Sequence, residues 1–263
     1  MEALSATMYA TTFTFLMTTL GATAVLISKK PPSAFFSKIS LGFAAGIMIA
    51  ASMWSLLMPA IEQVESEGKT AALPVAGGFI AGALFLMALD KLMPHLHLNS
   101  KEPEGPKSNL SKQNLLFLAI TIHNIPEGMA VGAVFAGVLA QNTPLTMAGA
   151  FALSIGIAIQ NFPEGAIISL PLRGERGMSR SKAFLCGTLS GIVEPIAGLL
   201  TIALSAFMTP LLPYSLSFAA GAMMYVVAEE LIPEAASDTK SNIGTIGLSL
   251  GFVLMMMLDV TLG

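Results

Sequence analysis

The feature that most constrains this chain is a succession of apolar blocks, each about as long as a bilayer is thick. A helix needs roughly 20 mostly apolar residues to cross the hydrocarbon core. Eight such blocks run along the 263 residues, at approximately 8–28, 36–60, 73–97, 112–139, 143–170, 181–206, 211–233 and 241–262. Only 11% of the residues are charged, against about 25% in soluble domains. Backbone polar groups cannot face lipid unpaired, so each block must close its hydrogen bonds as a helix. The expected fold is an all-α membrane protein with eight transmembrane helices in one domain, 1–263.

Charge placement supports the count. If the segment after the first span faces the cytoplasm, it brings Lys29, Lys30 and Lys38 to that side. Alternate connections then add Lys91, Lys101, Lys107 and Lys112, next Arg173, Arg176, Arg180 and Lys182, and finally Lys240. Twelve of the 13 basic residues share one face, and only Lys69 lies opposite, among Glu62, Glu65 and Glu67. The positive-inside rule makes the basic face cytoplasmic, so an even span count leaves both termini outside. The cytoplasmic loop at about 98–111 is polar and broken by Pro and Gly, and is expected to be mobile.

Several classes are excluded. The single cysteine, Cys186, allows no disulfide framework and no Cys-type zinc site. The first block lacks a basic leader, so it is expected to remain as a helix. No basic patch suggests nucleic acid, and no phosphate-binding loop suggests an ATP motor.

The chemistry lies in two near-copies of one motif. His123-Asn124-Ile125-Pro126-Glu127-Gly128 falls in span four, and Gln160-Asn161-Phe162-Pro163-Glu164-Gly165 in span five. The two spans form an antiparallel hairpin with the motif on both arms. Paired interrupted helices are a pointer to a transporter binding site. Residues i and i+4 share a helix face, so His123 with Glu127 and Gln160 with Glu164 can converge. Pro126 and Pro163 leave the carbonyls of Ile122 and Ile159 without their usual donors, and Gly128 and Gly165 permit close helix approach. Two facing carboxylates repel unless a cation or proton lies between them. Imidazole, carboxylate and amide oxygen together suit zinc, with manganese or iron also admitted.

Each residue alone has a plainer reading. An intramembrane His often only bridges helices, and a lone Pro often only kinks one. Two copies of Asn-x-Pro-Glu-Gly on adjacent spans make that reading weak. Glu194-Pro195, inside span six, is either a functional acid or a structural hydrogen bond. Glu229 and Glu230 near the cytoplasmic end of span seven are either an exit station or solvated acids. Asp90, His95 and His97, ending span three, either hold departing metal or anchor the interface. Asp259, near the outer end of span eight, either attracts cations or is simply hydrated.

These motifs resemble the ZIP (Zrt/Irt-like) family of divalent-metal transporters, and within it the bacterial GufA-like branch. The resemblance spans the chain, through Gly42-Phe43-Ala44-Ala45-Gly46-Ile47-Met48, Ser55-Leu56-Leu57-Met58-Pro59-Ala60, Asp90-Lys91-Leu92-Met93-Pro94-His95, both Pro-Glu-Gly motifs, Glu194-Pro195 and Glu229-Glu230-Leu231-Ile232-Pro233-Glu234. It implies two adjacent metal positions. The first would use Met48, His123, Glu127, Gln160 and Glu164; the second Asn124, Glu127, Asn161, Glu164 and Glu194. It also implies a 3+2+3 arrangement, with helices one to three related to six to eight by an inverted repeat around the four-five hairpin, and elevator-type alternating access. Many relatives have His where this chain has Gln160, and some have Asp where it has Asn161. The neutral Asn161 is expected to weaken the second position.

The expected activity is movement of zinc, with Cd2+, Fe2+ or Mn2+ as further substrates, toward the cytoplasm across the inner membrane. A cation/proton exchanger working in export uses the same acids. An intramembrane metalloenzyme would need His-Glu-x-x-His, and only His123 lies at membrane depth, so no enzyme is expected. The expected partners are divalent ions and the lipid bilayer, and a homodimer is compatible with this class.

Overall fold

Three of the helices start in the same way. Ser33, Ser111 and Ser179 each take an extended backbone, and each side chain accepts a hydrogen bond from an N–H three residues on, Phe36, Asn114 and Lys182 respectively. Such caps satisfy donors that a helix start leaves open. All three lie at the end of the molecule that carries the basic loops. The computed structural model describes residues 2–28, 30–65, 72–96, 102–140, 143–174, 177–206, 211–237 and 241–262.

Among the described residues, eight helices are long and apolar enough to cross a membrane. They are α1 (Leu4–Ile27), α2 (Ala34–Val64), α3 (Ala72–Leu92), α4 (Asn114–Leu139), α5 (Met147–Arg173), α6 (Arg180–Leu204), α7 (Leu212–Ala235) and α8 (Ile243–Leu262). Their surfaces are inverted relative to a soluble protein. Leu16, Leu20, Ile80, Leu84, Leu200, Leu204, Leu250 and Met257 are exposed, while Thr7, Thr11, Thr14, Thr18, Asn124, Glu127, Gln160, Asn161 and Glu194 are buried. Lipid accepts the first set and would charge several kcal/mol for each unpaired polar group of the second. The most apolar windows of α4 and α5 are 67% buried, against 22% for α3 and α8. The motif helices are therefore central, and α3 and α8 peripheral.

Four helix pairs dominate the packing: α1 with α5, α4 with α6, α2 with α8, and α3 with α7. Small residues bring each pair close. A Cβ on Gly128 would overlap the backbone of Glu194, and one on Gly165 would overlap the carbonyl of Thr18. The motif glycines thus let α6 and α1 press against the arms that carry the polar residues.

The interruptions are not where the prolines suggested. α4 and α5 run as continuous α-helix through Pro126 and Pro163. Pro126 is buried and Pro163 half-buried, and the helix runs on at both although each Pro lacks an N–H. The breaks fall instead in α2, α6 and α7. Ser52–Leu57 and Val227–Leu231 are π-helical, with Met58 N–H donating to the Met53 carbonyl and Ile232 N–H to that of Val227. Each wide turn immediately precedes a proline, Pro59 or Pro233. In α6, α-helix stops at Ser190 and resumes at Val193.

The loop expected to be mobile is tied down at one point. His95 N–H donates to the Glu104 carbonyl at 3.2 Å, and Glu104 N–H returns to His95 at 2.9 Å. Residues 97–101, including His97, lie outside the described residues.

Candidate metal centre

α4 and α5 bring the two motifs face to face. His123 is 5% exposed, and Asn124, Glu127, Gln160, Asn161 and Glu194 are all 0% exposed. One ligand-capable atom from each of His123, Glu127 and Glu164 lies within 4.8 Å of the other two. Donors about 2.0–2.2 Å from one ion stand no more than about 4.4 Å apart. Small side-chain movements would therefore bring all three onto one cation.

The amides are oriented in a consistent way. Gln160 Nε2 donates to Glu127 Oε1 at 2.5 Å. Asn161 Nδ2 donates to Glu194 Oε2 at 3.0 Å, and Asn124 Nδ2 donates to the Ser190 carbonyl at 3.1 Å. Each N–H end is consumed by protein, so each oxygen end is left over. Asn124 Oδ1, Gln160 Oε1, Asn161 Oδ1, Glu127 Oε2, Glu164 Oε2 and His123 Nε2 are buried without a hydrogen-bond partner. Buried unpaired polar atoms normally cost about 1–3 kcal/mol each, more when charged. Six such atoms in one cluster, five of them oxygen acceptors and the sixth a ring nitrogen, are what an electrophilic guest would stabilise.

Glu194 sits in the first turn after the α6 break. Thr18 Oγ1 donates to its Oε1 at 3.3 Å, and Asn161 holds its Oε2. The break and the paired donors aim this acid at the hairpin. Met48 is fully buried on α2, one turn beyond Ala44 and two beyond Leu41, both of which line the central cavity.

That cavity, of about 40 Å³, is lined by His123, Gln160, Glu164, Glu230, Glu234 and Ser40 among others. A water needs roughly 10–15 Å³ of such space, so only a few waters or one partly hydrated ion fit. Its walls lie in the halves of α2, α4, α5 and α7 that end at the basic loops. A second cavity, of about 240 Å³, opens at the other end, beside Ser55, Glu62 and Asp259. Ser55 Oγ donates to Asp259 Oδ1 at 2.7 Å. Along the helices between the two cavities stand Ile47, Met48, Leu153, Ile157 and Met255, all fully buried. The cavity beside the centre thus lies toward the basic end of the bundle, and fully buried apolar residues stand between it and the Asp259 cavity.

At the basic end, Glu230 reaches His123 Nδ1 at 3.3 Å, whereas Glu229 is exposed. Asp90 and His95 come together, with Nε2 to Oδ1 at 2.9 Å. Tyr225 hydroxyl donates to the other Asp90 oxygen at 3.2 Å. Glu104 completes a second group of potential ligands with Asp90 and His95. Burial opposes protonation of His95, but the hydrogen bonds to Asp90 and the Met93 carbonyl and the charges of Asp90 and Glu230 outweigh it, raising its pKa to about 9. A raised folded pKa means that the His95–Asp90 pair, which holds the residue carrying the backbone bridge to Glu104, is strongest below the unfolded value near 6.5 and is lost as pH rises through about 9. A spin label at Lys107→Cys, in a Cys186→Ser background, should be immobile at pH 6 and gain mobility between pH 8 and 10. Unchanged mobility over that range would remove the His95 anchor.

Sequence reasoning missed Thr14, Thr18 and Glu104, and named Glu234 only as part of the family motif, without a role. The threonines recur at positions 7, 11, 14 and 18, a helical face that turns out to be fully buried against Glu194 and its neighbours. That spacing was the available signal.

Eight apolar helices around buried acids, amides and one imidazole define a polytopic membrane protein with a buried cluster of potential metal ligands. The family profile described as ZIP Zinc transporter matches residues 99–259. Zinc transporter ZIP11 of Homo sapiens is 39% identical over 96% of both chains. Zinc transporter GufA of Myxococcus xanthus is 38% identical over 94% of both. Zinc transporter ZIPB of Bordetella bronchiseptica is 38% identical over 95% of this chain and 79% of its own. The chain belongs to the ZIP family of zinc transporters, and it is an integral membrane protein that serves metal-ion transport.

Proposed function

We propose that this protein carries zinc across the inner membrane toward the cytoplasm, through a centre formed by His123, Glu127, Gln160 and Glu164, with Met48 completing the first position. The observation that carries this reading is the set of six unpartnered lone-pair atoms in the hairpin, beside amides whose nitrogens are engaged on the Ser190 carbonyl, Glu127 and Glu194. Borderline donors of this kind favour zinc and admit cadmium, iron or manganese. The second position takes Asn124, Asn161 and Glu194 with the two shared glutamates. It binds more weakly, because Asn161 brings no charge and spends its N–H on Glu194.

Alternating access suits the packing. Exchanging α1 with α6, α2 with α7, α3 with α8 and α4 with α5 turns the α1–α5 contact into α6–α4, and α2–α8 into α7–α3. The π-turn and following proline of α2 recur in α7. Both features support an inverted repeat in a 3+2+3 arrangement. In that reading α1, α4, α5 and α6 form the moving carrier, α2, α3, α7 and α8 the frame, and this conformation is open toward the cytoplasm. Metal leaves past Glu230 and Glu234 toward Asp90 and His95, while the Asp259 cavity is the outer vestibule. Both termini lie outside.

Proteoliposomes loaded with a metal-sensitive dye test the reading. Zinc and at least cadmium should accumulate down an imposed gradient; failure of zinc, cadmium, iron and manganese alike to move would end it. Sidedness is checked separately in intact cells. A maleimide should label Lys107→Cys only after permeabilisation, and labelling from outside would invert the topology.

A further inference from the structure

The carboxylate of Glu230 and the imidazole of His123 make a contact that the metal ligands themselves do not require. His123 Nδ1 stands 3.3 Å from Glu230 Oε2, with the two side chains 6% and 12% exposed. The other ring nitrogen, Nε2, is buried without a hydrogen-bond partner. An ionised carboxylate only accepts hydrogen bonds, and a neutral imidazole has one N–H. The pair is therefore complete when Nδ1 carries the hydrogen, which leaves the Nε2 lone pair to the centre. We propose that Glu230 is a positioning residue for His123: it fixes the ring orientation and the tautomer that presents Nε2 to the metal. A carboxylate behind a metal-binding imidazole orients it and raises its basicity.

Two further observations bear on this role. Glu230 lies within the π-turn Val227–Leu231, and such turns re-aim side chains relative to an ordinary helix. Glu230 also belongs to α7, which packs on α3, whereas His123 belongs to α4, which packs on α6. The hydrogen bond thus joins the two sets of helices, and sliding one set past the other would take the acceptor away from His123. Metal affinity is then linked to the position of the carrier. A station that metal merely touches on its way out would alter release but leave affinity and tautomer alone.

The inference rests on the metal-centre reading, and ring-15N-histidine NMR of the full-length protein separates the two. The chain has 3 histidines, and the spectrum of His123→Gln identifies the signals of His123. In metal-free wild type, Nδ1 should be the protonated nitrogen. Added zinc chloride should shift Nε2. Glu230→Leu should mix the tautomers and weaken zinc binding by roughly 10–100-fold. Glu230→Gln, whose amide oxygen still accepts from Nδ1–H, should restore the tautomer and most of the affinity. An Nε2–H form in the metal-free wild type overturns the proposal without any variant, as does a Glu230→Leu protein with unchanged tautomer and affinity. A wild-type spectrum with Nδ1 protonated but Nε2 indifferent to zinc overturns the metal-centre reading instead.

Discussion

Glu127→Ala and Glu164→Ala should each abolish zinc uptake while leaving a folded protein in the membrane. Loss of a residue that only supports a ligand costs about 10–100-fold, so loss of a carboxylate shared by both positions should lower uptake by more than about 100-fold. Folding should not suffer. Glu127 is fully buried, and Glu164 faces it across the centre. Removing one of two facing carboxylates relieves their repulsion and the desolvation of the lost charge, which offsets the loss of the Gln160 hydrogen bond in Glu127→Ala. Thermal melts should therefore show variants as stable as metal-free wild type, or more so. The ligand-linked increment should disappear: zinc at 100 times its Kd adds about 2.7 kcal/mol to a binding-competent protein and should add nothing to these variants. A variant that transports normally, or that still gains stability from zinc, would refute the assignment.

Gly128→Leu should have the second large effect, on assembly rather than chemistry. A Cβ at this position already overlaps the Glu194 backbone, so a larger side chain must force α4 and α6 apart. Overpacking a tight core costs about 1–3 kcal/mol per site, occasionally more, and here it displaces backbone rather than a flexible side-chain end. Little folded protein should be recovered. Gly128→Ala should still fold but bind zinc less tightly, because the movement carries Glu194 away from Asn161. Gly77 is the control: nothing lies within 4 Å of its Cβ position, so Gly77→Ala should be neutral or slightly stabilising. Equal yields and zinc affinities for Gly128→Leu and Gly77→Ala would contradict the packing account.

These residues also mark how far the sequence could be read. The polar motif residues were legible because charged and amide side chains are rare at membrane depth, and because i, i+4 spacing puts them on one face. The span count was legible from apolar length and from the placement of basic residues. The prolines misled on where helices break. A proline removes one N–H, but that loss alone does not decide whether the turn opens. α4 and α5 run on through Pro126 and Pro163, whereas the turns before Pro59 and Pro233 widen, although Pro59 is buried like Pro126. Thr18 was invisible for a related reason. A threonine in an apolar helix ordinarily bonds its own backbone, as Thr18 does with the Thr14 carbonyl at 3.4 Å, and only the placement of Glu194 across the interface adds a second partner. Glu104 joins Asp90 and His95 because the loop doubles back, a contact between residues with no spacing rule to connect them.

The central claim is that the transported ion rests between the two motif arms. Anomalous scattering at the zinc edge from zinc-soaked crystals tests it most directly. The account predicts the strongest peak within bonding distance of His123, Glu127 and Glu164, with a weaker one beside Asn161 and Glu194. Zinc found only at Asp90, His95 and Glu104, or only at Asp259, with nothing between the arms, would contradict it.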